Sequence, residues 1–349
     1  MIRMEDDVIA EWALPVDILT KLLQKITPKT AARCSCVAKT WKLAAESPIL
    51  KQRIAQEQCL RFGDTEPTIL WEGNANFHVY CVARRCNLIA LGGEEQIKIW
   101  DMEEASMVHF SALEGRQITT LCFIDGLLFS GDSDGHLIGW DVETNDQIID
   151  VKTHTRLVQA IVDLEDSIAC GGGYNTDVKV ISKEGWTRGN PSERALQGHT
   201  MNVECLVGVP KHNLLVSGSG DSTIRLWNTD SWECLTVLSG HGAAVLSLYK
   251  QGNLLLSGSL DSRVHLWDLD ALGYYRSLNT SRMVAAISVK GSKVVSGSDL
   301  GHIRVWDMEE MICLRSFKVG MDTRGLWLDE GKLLGVSGDG HIYAWDFSS

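Results

Sequence analysis

Nearly the same stretch of eleven residues occurs twice in this chain, forty positions apart, and it constrains the fold more than any other feature of the sequence. SGSGDSTIRLW runs from Ser217 to Trp227, and SGSLDSRVHLW runs from Ser257 to Trp267. Each copy begins with Ser-Gly, places an aspartate six residues before its tryptophan, and follows a Gly-His pair. A unit that returns at a fixed period of about 20 to 50 residues predicts a repeat architecture, in which neighbouring units share a core.

The period extends through most of the chain. The tryptophan at the end of the unit recurs at Trp100, Trp140, Trp227, Trp267, Trp306 and Trp345. The gaps between successive tryptophans are 40, 87, 40, 39 and 39 residues. The long gap contains a degenerate copy, in which Ile181-Ser182 replaces the Trp-Asp pair. The sequence therefore predicts seven units.

Each unit has the pattern of short strands separated by turns. An apolar run such as VECLVGV comes first, a second run ends in Ser-Gly, and an alternating segment such as HIRVW ends at the tryptophan. Period-two alternation bounded by Gly, Asn and Asp is typical of β-strands. A unit of about 40 residues has room for four strands and too little length for a parallel crossover. The expected fold class is all-β.

These units resemble the WD-repeat β-propeller family, whose signature is Gly-His near the start of a unit and Trp-Asp near its end. The resemblance covers residues 66 to 349 and implies a seven-bladed propeller. The seventh unit contains three strands, so the strand-like segment Pro67–Trp71 (PTILW) is expected to complete its blade. Completion of the ring would remove the unpaired strand edges that an open ring leaves.

Two of the units contain four residue types that can form a hydrogen-bonded chain. An indole N–H only donates, a hydroxyl donates and accepts, and a carboxylate only accepts, so tryptophan, serine, histidine and aspartate can be joined in that order. The two sets are Trp227, Ser217, His199 and Asp221, and Trp267, Ser257, His241 and Asp261. A hydrolase triad is the competing interpretation, but it requires one nucleophile exposed in a cleft beside an oxyanion hole. A set that occurs twice in register favours a structural network.

Composition excludes several classes of function. Asp and Glu total 45 against 33 Lys and Arg, and the resulting net charge of -12 disfavours nucleic acid as the main partner. No apolar run is long enough for a transmembrane helix, and the acidic N-terminus lacks the apolar core of a signal peptide. The ten cysteines have neither a disulfide framework spacing nor a zinc-site spacing, which is typical of a cytoplasmic or nuclear protein. We expect no catalytic residue, no cofactor and no metal ion.

The first sixty residues have a different pattern. In LPVDILTKLLQKI the apolar residues recur at helical spacing, and Thr27-Pro28 marks the start of a second helix. A few short helices bury little surface, so the remaining apolar side chains predict a partner. The stretch resembles an F-box, on the residues Leu14-Pro15, Asp17-Ile18-Leu19, Val37-Ala38-Lys39-Thr40-Trp41 and Ile49-Leu50. Ala38 departs from the cysteine usual in F-boxes. A helical cap packed under the propeller is the alternative.

An F-box followed by WD repeats resembles the substrate receptors of SCF-type cullin-RING ubiquitin ligases. The resemblance implies an F-box domain at residues 10–55, a linker at 56–65 and the propeller at 66–349. It also implies that a Skp-type adaptor, itself bound to a cullin scaffold, contacts Leu14, Pro15, Ile18, Val37 and Trp41. Such a chain performs no chemistry and contributes proximity between a target protein and its modifying partner, in the cytoplasm, the nucleus or both. A WD-repeat scaffold outside ubiquitination is the alternative function.

Three arginines share one position of the repeat. When the first apolar residue of each inner strand is set in register, Arg116, Arg156 and Arg282 each precede it by two residues, and Arg324 lies close to the same region. In the propeller family this position lies beside the central channel. The planar arginine fork suits carboxylate and phosphate groups, so we expect these residues to bind an acidic or phosphorylated segment of a target. Solvated arginines scattered by chance are the alternative interpretation.

Overall fold

The part of the protein that the structure describes is an all-β, seven-bladed propeller, which confirms the fold class predicted for the repeats. The computed structural model describes residues 67–73, 77–110, 115–173, 176–184, 192–329 and 332–347. These residues form 28 strands in seven four-stranded antiparallel sheets, one sheet for each blade. The predicted F-box domain at 10–55 and the linker at 56–65 lie outside the described residues.

The strands are numbered β1 to β28 in chain order, and each blade has an innermost, a second, a third and an outer strand. The innermost strands are β2 (Cys81–Arg85), β6 (Ile118–Ile124), β10 (Val158–Asp163), β14 (Val203–Val209), β18 (Val245–Gln251), β22 (Ala286–Lys290) and β26 (Thr323–Leu328). The second strands are β3 (Leu88–Gly92), β7 (Leu127–Asp132), β11 (Ser167–Gly172), β15 (Leu214–Ser219), β19 (Leu254–Ser259), β23 (Lys293–Gly297) and β27 (Lys332–Ser337).

The tryptophan of each regular unit lies near the end of a third strand. The third strands are β4 (Ile97–Asp101), β8 (His136–Asp141), β12 (Val178–Ser182), β16 (Ile224–Asn228), β20 (Arg263–Asp268), β24 (His302–Asp307) and β28 (Ile342–Asp346). The outer strands are β1 (Thr68–Trp71), β5 (Ser106–Phe110), β9 (Gln147–Lys152), β13 (Glu193–Leu196), β17 (Cys234–Leu238), β21 (Gly273–Asn279) and β25 (Ile312–Lys318). The helical content of the described ranges is the 3₁₀ turn Pro210–His212, and none of their helical segments could span a membrane.

The innermost strands contact one another in a closed ring, from β2 through β6, β10, β14, β18 and β22 to β26 and back to β2. They all begin at the same face of the propeller, which we call the upper face. Because the second strand runs antiparallel to the innermost strand, the turn between the second and third strands also lies on this face. The upper face therefore presents two segments of every blade.

Closure of the ring follows the sequence prediction. Strand β1 pairs antiparallel with β28, with Thr68 opposite Ala344 and Ile69 opposite Tyr343. The seventh blade is therefore assembled from segments at opposite ends of the described chain, β1 and β26 to β28. The predicted role of Pro67–Trp71 is confirmed.

Neighbouring blades approach each other most closely at a glycine of the second strand. A Cβ atom added to Gly131 would lie 2.6 Å from Cβ of Val158, which begins the innermost strand of the next blade. The same approach recurs at Gly92, Gly171, Gly218, Gly258 and Gly297, each against the next blade. The residues that pack there are at most 1% exposed, namely Ile118, Val158, Val203, Val245, Val284 and Thr323. This burial supports the register used in the sequence analysis.

The degenerate third blade keeps the strand geometry without its tryptophan. Ile181 takes the tryptophan's place near the end of β12 and is 1% exposed. It packs in a core cluster with Phe129, Ile161 and Ile168. An aliphatic side chain fills this position, so the fold survives loss of the repeat signature at one unit.

Candidate functional site

The structure brings together the four residue types identified in the fourth unit. Nε1 of Trp227 donates to Oγ of Ser217 at 2.9 Å, and Oγ of Ser217 lies 2.8 Å from Nε2 of His199. Nδ1 of His199 lies 2.9 Å from Oδ2 of Asp221. In the fifth unit, distances of 2.8, 2.7 and 2.8 Å join the equivalent atoms of Trp267, Ser257, His241 and Asp261.

The aspartate end of the network also organises the turn between the second and third strands. Asp221 accepts hydrogen bonds from the backbone N–H and the hydroxyl of Thr223, at 2.9 and 2.6 Å, and from the N–H of Thr200 at 3.0 Å. Burial alone would raise the pKa of Asp221, but these hydrogen bonds and that from His199 outweigh it and hold the pKa at about 2. The pKa of His199 is lowered by burial, against the opposing effect of Asp221.

This arrangement cannot act as a hydrolytic triad. Ser217 and Ser257 are both 0% exposed, and each hydroxyl already bonds an indole and an imidazole. A nucleophile needs access to a substrate and an oxyanion hole beside it. Because every polar atom is matched inside the blade, the network fixes the turn and the third strand relative to the rest of the sheet.

A second serine motif falls in the second blade. Residues Gly131 to Gly135 read GDSDG and match the pattern Gly-x-Ser-x-Gly of nucleophile elbows. That elbow requires a strand followed by a helix, whereas Ser133 lies in the turn between β7 and β8. Its hydroxyl accepts a hydrogen bond from the N–H of Gln117 at 3.2 Å. Ser133 therefore joins two neighbouring segments of the upper face.

Three potential metal ligands gather in the fifth blade. Ligand atoms of His241, Asp261 and His265 lie within 4.8 Å of one another. The two imidazole rings are stacked, with centroids 3.9 Å apart and planes at 16°, so their in-plane lone pairs do not converge on one point. Both nitrogens of His241 also bond within the network. The geometry therefore fits a stacked pair of rings better than a metal centre.

His265 is an unusual member of this cluster. It is 4% exposed, and neither ring nitrogen has a hydrogen-bond partner. Burial and the neighbouring His241 lower the pKa of His265 to about 4. His265 was not identified from the sequence. Its position, two residues before the tryptophan of the unit, is occupied by Arg225 and Arg304 in the fourth and sixth blades.

The position of the network histidine is occupied differently in the second and third blades. His199 and His241 precede the buried valine of their inner strand by four residues, whereas Arg116 precedes Ile118 by two, so Arg116 does not replace the histidine. In the third blade His154 occupies the position four residues before Val158 and is 3% exposed. The sequence pattern did not reveal His154, because the pattern sought was Gly-His and His154 follows a threonine.

The sixth blade lacks two members of the network. Thr280 occupies the histidine position, four residues before Val284, and Leu300 occupies the aspartate position. The tryptophan still donates to its serine, from Nε1 of Trp306 to Oγ of Ser296 at 2.9 Å. The smaller threonine leaves a cavity of about 10 Å³ beside Ser296. Packing, the ladders to β23 and β25 and this single side-chain bond hold the third strand in place.

Two of the four arginines considered for target binding already have acidic partners. Nη1 of Arg116 lies 3.2 Å from Oδ2 of Asp132, whose side chain is 0% exposed, and Nε lies 4.0 Å from Asp134. Nη2 of Arg324 lies 2.6 Å from Oδ2 of Asp322. A buried carboxylate requires a paired cation, so Arg116 has a structural task that the sequence reading did not identify.

The other two arginines are differently placed. Arg156 is exposed, and Arg282 lines the cavity of the sixth blade with no carboxylate ion pair among the described side chains. His302 lines the same cavity as Arg282. The pKa of His302 is lowered by burial and then by the positive charges of Arg282, Arg304 and Lys318, against the opposing charge of Asp299. Three cations therefore act at the sixth blade of a chain whose net charge is -12.

Comparison with known families identifies both parts of the chain. Residues 13–53 match the F-box domain, and residues 190–228 and 232–268 match the family described as WD domain, G-beta repeat. The chain therefore carries an F-box domain and WD repeats, as the sequence predicted. The two matched repeats contain the two blades with complete four-residue networks.

Individual relatives are more distant. Myosin heavy chain kinase C of Dictyostelium discoideum is 25% identical over 156 residues, which are 44% of this chain and 19% of that protein's length. The computationally designed Ika8 protein superposes with a TM-score of 0.61 and 22% identity, covering 79% of this chain and 98% of that chain. A chain of the mitotic checkpoint complex has a TM-score of 0.73 and 17% identity, over 82% and 93% of the respective chains. These structural similarities support the propeller fold alone.

Removal of the network carboxylate should destabilise the fourth blade. In Asp221→Ala, His199 and three backbone or hydroxyl donors lose their acceptor, and we expect a loss of roughly 1–3 kcal/mol in the free energy of unfolding. Urea denaturation measures it. Asp230→Ala, at an exposed carboxylate of the same blade, should cost less than about 0.5 kcal/mol. Equal stability of the two variants would contradict a structural role for the network.

Stability should fall when the pH is lowered, and His265 should contribute to the loss. Its folded-state pKa of about 4 lies below the free value of 6.5, so the unfolded chain binds the proton first between these limits. From pH 7 to pH 5 this residue should remove on the order of 1–2 kcal/mol, measured by urea denaturation at both values. His265→Gln should show a smaller decrease than the parent protein. His212→Gln, at a part-exposed site, should retain the full decrease, and identical behaviour of both variants would mean that water reaches His265.

Proposed function

We propose that this chain is the substrate-recognition subunit of an SCF-type cullin-RING ubiquitin ligase. The observation that carries the proposal is the match of an F-box domain at residues 13–53 ahead of a seven-bladed WD-repeat propeller in one chain. This combination is typical of non-catalytic receptors, in which the F-box binds a Skp-type adaptor and the propeller binds a target protein. The buried state of the serine-histidine-aspartate networks agrees with a role that involves no hydrolysis.

In this role the chain contributes position rather than chemistry. A target held on the propeller and a ubiquitin-charged partner held through the adaptor and cullin would react at a high effective concentration. The specificity of the ligase would then reside in the surface of the propeller. A scaffold outside ubiquitination is the alternative, and capture of the adaptor distinguishes the two functions.

The upper face is the surface that we assign to the target. Exposed Arg156 and the cation-rich sixth blade provide positive charge there, while Arg116 and Arg324 are largely neutralised by Asp132 and Asp322. Arg282 and Arg304 line one cavity of this blade together with His302, whose pKa their charges and that of Lys318 lower against the opposing charge of Asp299. Arginine donors at such a site suit carboxylate or phosphate groups, so we propose that an acidic or phosphorylated target segment binds at the sixth blade.

Adaptor capture tests the F-box assignment directly. A variant with Leu14→Ala and Pro15→Ala should lose co-purification with a Skp-type adaptor, because both residues belong to the apolar surface assigned to that contact. Affinity purification of the full chain followed by mass spectrometry measures the loss, and the thermal midpoint of the propeller should stay unchanged. A variant that still retrieves adaptor and cullin at parental levels would contradict the assignment of these contacts.

Target capture should depend on Arg156 and Arg282 of the upper face. We expect Arg156→Glu combined with Arg282→Glu to eliminate capture of target proteins while adaptor binding persists, and we expect capture by the parent chain to weaken with added salt. Quantitative proteomics of the co-purified proteins provides the measurement. Arg276→Glu, on the outer strand β21, is the matched control. Adding Arg116→Glu to the variant should also destabilise the fold, because it would place a second negative charge beside Asp132.

Normal capture by the Arg156 and Arg282 variant would place the target site elsewhere on the propeller. Loss of capture in the Arg276→Glu control as well would indicate a nonspecific effect of net charge rather than a site at the sixth blade.

A further inference from the structure

A cavity of about 490 Å³ opens on the upper face between the first and second blades. It lies between the turn that joins β3 to β4 and the start of β6, and its walls include Glu94, Glu95, Arg116 and Gln117. Its volume falls within the range of about 300–1,000 Å³ that is usual for ligand pockets. The pocket is separate from the cation-rich sixth blade.

Backbone hydrogen bonds across the blade boundary hold the walls of this pocket. Glu94 and Gln117 form an antiparallel β-bridge, and the N–H of Glu95 donates to the carbonyl of Arg116 at 3.1 Å. In return, the N–H of Gly115 donates to Oε1 of Glu95 at 2.8 Å. The two carboxylate-bearing residues are therefore fixed to the neighbouring blade, and the pocket is formed before any ligand arrives.

The arginine in the wall of the pocket carries little free positive charge. Arg116 pairs with buried Asp132 at 3.2 Å, and Asp134 lies 4.0 Å from its Nε. Two carboxylates thus face one guanidinium on this side. An anionic ligand would have to compete with both of them, so the presence of Arg116 does not make this an anion site.

On the opposite wall two exposed glutamates lack a cationic partner among the described side chains. One oxygen of Glu94 accepts a hydrogen bond from the hydroxyl of Tyr80 at 2.9 Å, and one oxygen of Glu95 bonds the N–H of Gly115. The second oxygen of each carboxylate has no hydrogen bond to a described residue. Lys98 is 6% exposed and lies 3.8 Å from the ring centroid of Phe77, and Arg324, whose charge lowers the pKa of Tyr80, is paired with Asp322.

Aromatic groups stand beside these carboxylates. His78 lines the pocket and packs edge to face against Tyr80, with ring centroids 4.9 Å apart and planes at 68°. Aromatic rings together with carboxylates attract cations, and a planar guanidinium both stacks on rings and donates to two carboxylate oxygens at once.

We propose that this pocket binds an arginine side chain of a protein ligand. The inference rests on the proposed function in taking that ligand to be the target protein, whereas the preference for a cation follows from the pocket itself. A target would then place an arginine between the first and second blades and an acidic segment at the sixth blade. Opposite charges at two separated positions would determine the orientation in which the target lies on the upper face.

The test uses the full chain and a short peptide, acetyl-Ala-Gly-Arg-Gly-Ala-amide, linked to a neutral fluorophore. Fluorescence anisotropy should give saturable binding of this peptide. Peptides with citrulline, lysine or glutamate in place of arginine should bind at least roughly tenfold more weakly, because citrulline has the same shape without charge and lysine lacks the planar fork. The adaptor and the target do not enter the measurement, so its outcome is independent of the proposed ligase role.

The protein variants are Glu94→Gln and Glu95→Gln, singly and together. Glutamine retains the oxygen that accepts from Tyr80 or Gly115, so the fold should be preserved while the charge is removed. The double variant should bind the arginine peptide at least roughly tenfold more weakly. Glu143→Gln, an exposed glutamate of the second blade far from the pocket, is the matched control and should bind like the parent chain.

Three results would overturn the proposal. Equal binding of the arginine and citrulline peptides would exclude recognition of charge, and equal binding of the lysine peptide would exclude recognition of the guanidinium. Unchanged affinity in the double variant, with an unchanged thermal midpoint, would place the cation site elsewhere.

Discussion

Glycine at one position of the second strand allows the blades of this propeller to pack against each other. The added Cβ of Gly131 would lie 2.6 Å from Val158 of the next blade, closer than packed side chains tolerate. The ring closes with a variation of this contact, because Val336 stands where the other blades have glycine and Gly325 on β26 receives Val82 of the first blade. The pockets and charges of the upper face follow from this spacing, since they lie where neighbouring blades meet.

Pairing with buried or neighbouring aspartates determines which arginines of the upper face keep their full charge. Asp132 is fully buried and holds Arg116, and Asp322 holds Arg324, so neither arginine offers its full charge to a ligand. Positive charge remains at the sixth blade, where the network aspartate and histidine are absent, and negative charge remains at the exposed glutamates of the first. The loss of the structural network in the sixth blade and the pairing of Arg116 in the second thus leave charges of opposite sign at two separate positions of the upper face.

The networks were predictable because each joins residues of one repeat through donor and acceptor types alone. Trp227, Ser217, His199 and Asp221 lie within 29 residues, and their donor and acceptor types allow the chain of hydrogen bonds that the structure contains. His154 was missed, because it follows a threonine rather than the glycine of the Gly-His pattern.

Sequence by itself determined the number of units, the all-β class, the strand that closes the ring and the F-box ahead of the propeller. These properties depend on local periodicity and on motifs, both of which are written along one segment of chain. Tertiary structure alone decided which arginines pair with carboxylates, which of the described glutamates lack a cationic partner and that a pocket lies between the first and second blades. Those features arise from side chains of different strands and blades, and the energy of a charge depends on burial and on its nearest partner, neither of which a linear pattern contains.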